Sequence, residues 1–149
     1  MFAYRRAAGT SFAPTISFMK LATRYALVGI GALGVLSLVG LARSAHFRGA
    51  EIVNYLIGVL PSVAASVAIP FILFGIWADQ RPAASSVTTC RAFVVVLLGT
   101  GTGLIAWEFI QLTSRGLVFD PHDLAATVVG LGLAGILFTL ITLPGSHPA

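Results

Sequence analysis

Hydrophobic and polar residues occur along this chain in blocks, and each hydrophobic block is as long as a whole helix. Four long stretches carry almost no charge, and short polar segments separate them. They cover residues 25–42, 52–78, 92–113 and 124–143. About 20 apolar residues in a helix cross a hydrocarbon core of about 30 Å, and no stretch alternates with the period of two that membrane strands need. The pattern predicts an all-α polytopic membrane protein, a bundle of four transmembrane helices.

The pattern also divides the chain into three parts. Residues 1–23 form a basic tail that could lie along the membrane surface, residues 24–144 hold the helices, and residues 145–149 form a C-terminal tail. The helices are predicted at residues 24–42, 54–78, 91–113 and 121–143. Only 9% of the residues are charged, against about 25% in soluble domains. This composition predicts contact with membrane lipids and no nucleic-acid partner.

Lysine and arginine are shared unequally between the two predicted sides of the membrane. The side of the termini holds Arg5, Arg6, Lys20, Arg24, Arg81 and Arg91, and the other side holds Arg43, Arg48 and Arg115. Because cytoplasmic segments carry the excess of positive charge, we predict cytoplasmic termini. The bias towards Ala, Gly, Leu and Val favours a bacterial inner membrane. Tyr25, Trp77 and Tyr55 are expected to anchor the interfaces.

Glycines recur in the first, third and fourth predicted helices and are fewer in the second. The stretches that begin at Gly29 and Gly130 both spell Gly-x-Gly-x-x-Gly/Ala-type patterns, but a dinucleotide site needs a βαβ unit around that fingerprint. We therefore assign these glycines, with Gly99, Gly101 and Gly103, to close packing between helices. The stripe of Thr127, Gly130 and Ala134 is expected to pack on the helix that contains Glu108.

Pro61 and Pro70 interrupt the backbone hydrogen bonds of the second predicted helix. Each removes an N–H donor and is expected to kink the helix. A broken helix can open a binding cavity, as in transporters, although a kink without such a role is commoner. Ser62 and Ser66 are candidates to satisfy the freed carbonyls.

The chemically richest segment joins the third and fourth predicted helices. Glu108, Gln111 and Arg115 are spaced by three and four residues, so they share one face if the helix continues as far as Arg115. An ionisable side chain within a membrane segment is costly and persists when it is paired or functional. Glu108 is therefore either an internally paired acid or part of a ligand site. Asp123 could contribute to that site from the next helix.

The sequence Asp120-Pro121-His122-Asp123 predicts the start of the fourth helix, with Asp120 as N-cap and Pro121 in the first turn. Asp120, His122 and Asp123 could join Glu108 around a divalent cation, but they lack a metal-specific spacing. No pair of nucleophile and base is apparent. We predict no catalytic residues, no metal and no cofactor, and we rank metal-assisted lipid phosphate hydrolysis low. The lone Cys90 allows no internal disulfide.

These residues resemble the VanZ-like family of small membrane proteins. Glu108 and Gln111 match its Glu-x-x-Gln pair, and Asp123 matches the acid that opens its following helix. The arginine of the family would fall at Leu117, whereas this chain has Arg115, and Thr127 stands where the family has asparagine. The resemblance covers about a quarter of the chain and implies a four-helix protein of the cell envelope.

Two functions follow as hypotheses. In the first, a cluster of Glu108, Gln111, Arg115 and Asp123 on the outer side binds a lipid headgroup or an envelope component. In the second, the protein is a small accessory subunit of a larger membrane complex. The glycine-rich helix faces and the basic, aromatic N-terminal tail are compatible with such protein partners.

Overall fold

The computed structural model describes residues 21–45, 49–113 and 120–142. Within these ranges the chain forms four helices and no strand. They are α1 (Leu21–Ser44), α2 (Glu51–Gln80), α3 (Ser86–Thr113) and α4 (Pro121–Thr142). Each is long and apolar enough to cross a membrane. The prediction of an all-α bundle of four membrane-length helices is confirmed.

Several helices extend beyond the bounds predicted from the sequence. The charge-free runs mark what suits hydrocarbon, whereas backbone hydrogen bonding continues into the polar flanks. Helix α3 begins at Ser86 instead of residue 91, because the Ser85 hydroxyl accepts a hydrogen bond from the Thr88 N–H at 3.2 Å. A serine in this position satisfies one of the N–H groups that a helix start leaves open.

Helix α2 is the centre of the bundle. It packs against each of the other three helices, whereas no Cα atoms of α1 and α3 lie within 8 Å of each other among the described residues. In α1 and α2, Gly29 faces Ile72 and Ala26 faces Gly75, so these helices are antiparallel. In α3 and α4, Phe93 stacks on Phe138, while Gly101 lies farther along α3 against Leu131, so they are antiparallel too.

This topology gives the bundle two ends. The starts of α1 and α3 meet the ends of α2 and α4 at the Tyr25 end. The ends of α1 and α3 meet the starts of α2 and α4 at what we call the Glu108 end. The acid and amide side chains near the end of α3 and the acids at the start of α4 are therefore brought to the same end of the bundle.

Aromatic rings fill the core towards the Tyr25 end. Tyr25, Phe71, Phe74, Phe93 and Phe138 are buried in one cluster, and the rings of Phe93 and Phe138 stack with centroids 3.9 Å apart. Offset and edge contacts between aromatic rings add to the free energy of burial. The cluster joins all four helices and so fixes their packing at this end.

Tyr25 does not anchor the membrane interface as predicted. Its ring is completely buried in the aromatic cluster, and its hydroxyl lies 2.9 Å from the Thr142 hydroxyl. Because the Thr142 hydroxyl donates its own proton to the Phe138 carbonyl at 2.7 Å, Tyr25 is the donor of the bond between them. The prediction is wrong because the phenol finds a partner inside the bundle.

Only some of the glycines mediate close packing. At Gly29 a Cβ atom would lie 2.7 Å from Cγ1 of Ile72, and at Gly101 it would lie 2.8 Å from Cδ1 of Leu131. The glycines of a second group pack against no described helix of this chain, because a Cβ atom there would meet nothing within 4 Å. That group comprises Gly31, Gly34, Gly99, Gly103, Gly132 and Gly135.

The small-residue stripe of α4 packs on α2 and not on the Glu108 helix. A Cβ atom at Gly130 would lie 2.7 Å from Cβ of Ser66 and 2.8 Å from the carbonyl oxygen of Val63. Thr127 and Ala134 are buried on the same face. Our prediction for this stripe is therefore wrong: spacing identified a packing face but not the neighbour.

Helix α2 is continuous through Pro61 and Pro70. The Ser66 hydroxyl donates to the Ser62 carbonyl at 2.7 Å, which is not one of the carbonyls that the prolines free. Pro61 removes the N–H that would donate to the carbonyl of Ile57. That carbonyl is met by the guanidinium of Arg43 instead.

Candidate functional site at the Glu108 end

Glu108 is a buried carboxylic acid within a membrane-length helix. Its side chain is only 8% exposed, whereas its neighbours Trp107, Phe109 and Ile110 are each more than half exposed. Helix α3 therefore turns the apolar side chains outward and the acid inward. The apolar surface faces the surroundings that suit it, and the carboxyl group is shielded from hydrocarbon by the bundle.

Helix α4 begins with the cap that the sequence predicts. The Asp120 carboxylate accepts a hydrogen bond from the His122 N–H at 2.8 Å, and the Asp120 carbonyl accepts from the Asp123 N–H at 3.1 Å. The N-cap role of Asp120 is thus confirmed. Asp123 lies in the first turn, where the partial positive charge of the helix N-terminus stabilises an anion.

The antiparallel packing of α3 and α4 brings Glu108 to this helix start. The carboxyl groups of Asp123 and Asp120 and the amide of Gln111 all lie near enough to interact with the Glu108 carboxyl. Three of the four predicted site residues (Glu108, Gln111 and Asp123) therefore meet at one place. The fourth, Arg115, lies outside the described residues.

The resulting acid cluster consists of Glu108, Gln111, Asp120 and Asp123. Among the described residues, Glu108 interacts with the carboxyls of Asp120 and Asp123 and with the amide of Gln111, and with no cation. The N–H groups at the start of α4 offset part of this negative charge. Chemically the cluster offers many acceptor oxygens and a single amide donor, so it suits a ligand that brings hydroxyl or ammonium donors.

His122 contacts an aromatic side chain of helix α2. Its ring packs edge-on against Tyr55 of α2, with the ring centroids 5.7 Å apart. Among the residues that the structure describes, no three His, Cys, Asp or Glu side chains are placed to hold a metal ion. The cation site that the sequence left open for Glu108, Asp120, His122 and Asp123 is therefore not formed.

Two contacts near the site escaped sequence reasoning. Tyr55 joins α2 to the start of α4 through His122, and Arg43 joins the end of α1 to α2. Both depend on the register between helices that are distant in sequence. The order of the helices indicates which ends meet, but it does not give the register.

Thr100 extends the polar character of the inward face of α3. It is 8% exposed, and its hydroxyl is the one buried side-chain polar atom without a hydrogen-bond partner in the described part of the chain. Phe93, Thr100 and Glu108 recur at intervals of seven and eight residues, which places them along one helix face. This face becomes increasingly polar towards the Glu108 end.

Comparison of the chain with protein-family models, with curated proteins and with solved structures finds no match. The resemblance to the VanZ-like family stays a prediction that rests on Glu108, Gln111 and Asp123.

Proposed function

We propose that the chain is a VanZ-like integral membrane protein that uses the acid cluster to bind the polar headgroup of a lipid or of a lipid-linked envelope component. The observation that carries this proposal is the inward-facing carboxyl of Glu108 among exposed apolar neighbours. A buried acid in a membrane segment is costly, and such residues usually mark functional positions.

The chemistry of the cluster favours headgroups rich in donors. Carboxylates accept hydrogen bonds from hydroxyl and ammonium groups and repel phosphate. A glycosyl or ethanolamine headgroup therefore fits better than a bare anionic phosphate. Arg115, predicted on the same helix face, would supply the contact to any phosphate in the ligand. No nucleophile is needed for this role, and we propose binding without catalysis.

The proposed setting is a bacterial inner membrane with both termini in the cytoplasm. In that orientation the Glu108 end faces outward, at the depth where headgroups begin. The argument is the distribution of Lys and Arg between the two ends, which follows the rule that positive charge is retained inside.

Lipid binding by variants of the full-length protein tests the proposal. The protein is placed in nanodiscs that contain phosphatidylethanolamine, a glycosyl diacylglycerol or phosphatidic acid, and bound lipid is counted by native mass spectrometry. Glu108→Gln keeps the shape of the side chain and removes its charge. Glu51→Gln is the matched control, because Glu51 is an exposed acid at the same end of the bundle.

Glu108→Gln is expected to weaken the donor-rich headgroup by about tenfold or more, because a hydrogen bond to a charged group contributes about 1.5–3 kcal/mol. Glu51→Gln should bind like the parent. Equal retention of every lipid by parent and Glu108→Gln would contradict the proposal. If Glu108→Gln lost only phosphatidic acid, whose headgroup is a bare phosphate, the proposed class of ligand would be contradicted.

The second candidate is an accessory subunit, favoured by small residues on outward faces. Gly99 and Gly103 are one turn apart on α3, are exposed and have no neighbour within 4 Å of a Cβ position. In lipid, such pairs permit another helix to approach closely. Purification in a mild detergent tests this role: Gly99→Leu should release a stoichiometric partner, and a parent protein that purifies alone contradicts it.

A further inference from the structure

Arg43 occupies an unusual place for a charged side chain. It lies in the last turn of α1, and its guanidinium reaches across to the backbone of α2. Nε and Nη2 donate to the Ile57 carbonyl at 3.2 and 2.8 Å, and Nη2 also donates to the Gly58 carbonyl at 2.8 Å. All three distances lie within the normal range for hydrogen bonds.

The position of Pro61 explains why the Ile57 carbonyl needs a donor. In an α-helix the carbonyl of residue 57 accepts from the N–H of residue 61, and proline has none. Ile57 is six residues into α2, about 9 Å from its start, on a membrane-length helix. In hydrocarbon no water is present to take the place of the missing donor, so an unsatisfied carbonyl is costly.

The segment of α2 before Pro61 leads to the acid cluster. It carries Tyr55, whose ring contacts His122 in the first turn of α4. The N–H of His122 in turn donates to the Asp120 carboxylate. A series of contacts thus runs from Arg43 through the first turns of α2 to the helix start that holds Asp120 and Asp123.

We propose that Arg43 is a positioning residue for the headgroup site: it replaces the N–H that Pro61 lacks and so holds the first turns of α2 against the start of α4. The proposal rests on the proposed function for its link to ligand binding. Its structural part, the pairing of Arg43 with the carbonyl freed by Pro61, stands independently of any ligand.

Arginine suits this role better than lysine. Its planar guanidinium presents several N–H groups in a fixed arrangement, so one side chain can serve two adjacent carbonyls. A lysine ammonium is a compact group that is less suited to bridging two carbonyls, and it is more strongly hydrated. Arg43→Lys should therefore retain the charge at the end of α1 but only part of the positioning.

The test makes two measurements on each variant: the distance between α2 and α4, and the binding of lipid by the full-length protein. Spin labels are attached at Ile52→Cys and Val129→Cys, both at exposed positions, in a Cys90→Ser background that removes the native thiol. Arg43→Ala is compared with Pro61→Ala and with the double variant. Arg91→Ala, an exposed arginine at the opposite end of the bundle, is the control for loss of charge.

Arg43→Ala is expected to broaden the distance distribution and to lower headgroup binding by about tenfold, because one backbone carbonyl of α2 is left without a donor. The double variant with Pro61→Ala should regain the narrow distribution and the binding, because alanine restores the N–H to Ile57. Arg43→Lys should give a distance distribution and a headgroup binding between those of the parent and of Arg43→Ala. If Arg43→Ala does not fold, Arg43→Lys is compared with the double variant Arg43→Lys, Pro61→Ala instead.

The proposal is overturned if Pro61→Ala fails to rescue the Arg43 variant, or if Arg91→Ala broadens the distribution equally. Failure of the proposed function looks different. In that case Glu108→Gln leaves lipid binding unchanged, while the rescue by Pro61→Ala still appears in the distances.

Discussion

A close approach between helices α2 and α4 can be tested at Gly130. Its Cα lies where any side chain would meet the backbone of α2: a Cβ atom would be 2.8 Å from the Val63 carbonyl oxygen and 3.0 Å from the Val63 Cα. Backbone atoms cannot rotate away as the end of a side chain can. Gly130→Ala must therefore push the two helices apart.

The size of the effect follows from two opposing terms. The contact to the Val63 oxygen must lengthen from 2.8 Å to about 3.4 Å to become ordinary, and overpacking of this kind costs about 1–3 kcal/mol. Alanine also gains up to about 1 kcal/mol in helix propensity over glycine. We expect Gly130→Ala to lower the free energy of unfolding by about 1–2 kcal/mol.

Gly132 provides a matched control two residues away on the same helix. A Cβ atom there meets nothing within 4 Å, so Gly132→Ala should keep or raise stability. Unfolding is followed by titration with sodium dodecyl sulfate from mild detergent, with the fluorescence of Trp77 and Trp107 as the signal. If Gly130→Ala is as stable as Gly132→Ala, the close approach of α2 and α4 is refuted.

Three further predictions concern the free energy of unfolding in the same assay. Tyr25→Phe removes the bond to Thr142 and should cost about 1 kcal/mol; an unchanged midpoint would contradict that bond. Gly29→Ala should destabilise by about 1 kcal/mol and Gly31→Ala should not, because only the former meets α2; equal effects would contradict the α1–α2 packing. Thr100→Val should stabilise by about 1 kcal/mol, since its hydroxyl lacks a partner among the described residues, and a loss of stability would reveal one.

The sequence predicts the helices well because their signal is local. A run of apolar residues is sufficient to identify a membrane-length helix, and the Asp120-Pro121 pair marks the start of α4 through the chemistry of its own first turn. The inward orientation of Glu108 is also local in origin. Its neighbours are large and apolar, so only one side of α3 can accommodate the acid.

The pairing of helix faces could not be predicted in the same way. The stripe around Gly130 has the spacing of a packing face, but nothing in its spacing distinguishes α2 from α3 as the neighbour. The glycines illustrate the same limit, since Gly29 and Gly31 belong to one motif and only Gly29 meets another helix. Arg43 was missed because its acceptor is defined by Pro61, in a different helix.

The arrangement around α2 has a consequence for how the chain is made. Helices α1 and α2 can associate as soon as both have left the ribosome, but Glu108 emerges before the helix that shelters it. Fifteen residues separate Glu108 from Asp123, which is about 1–3 s of synthesis at about 5–20 residues per second. During that interval Glu108 has no counterpart from α4, and the short link between α3 and α4 keeps the interval brief.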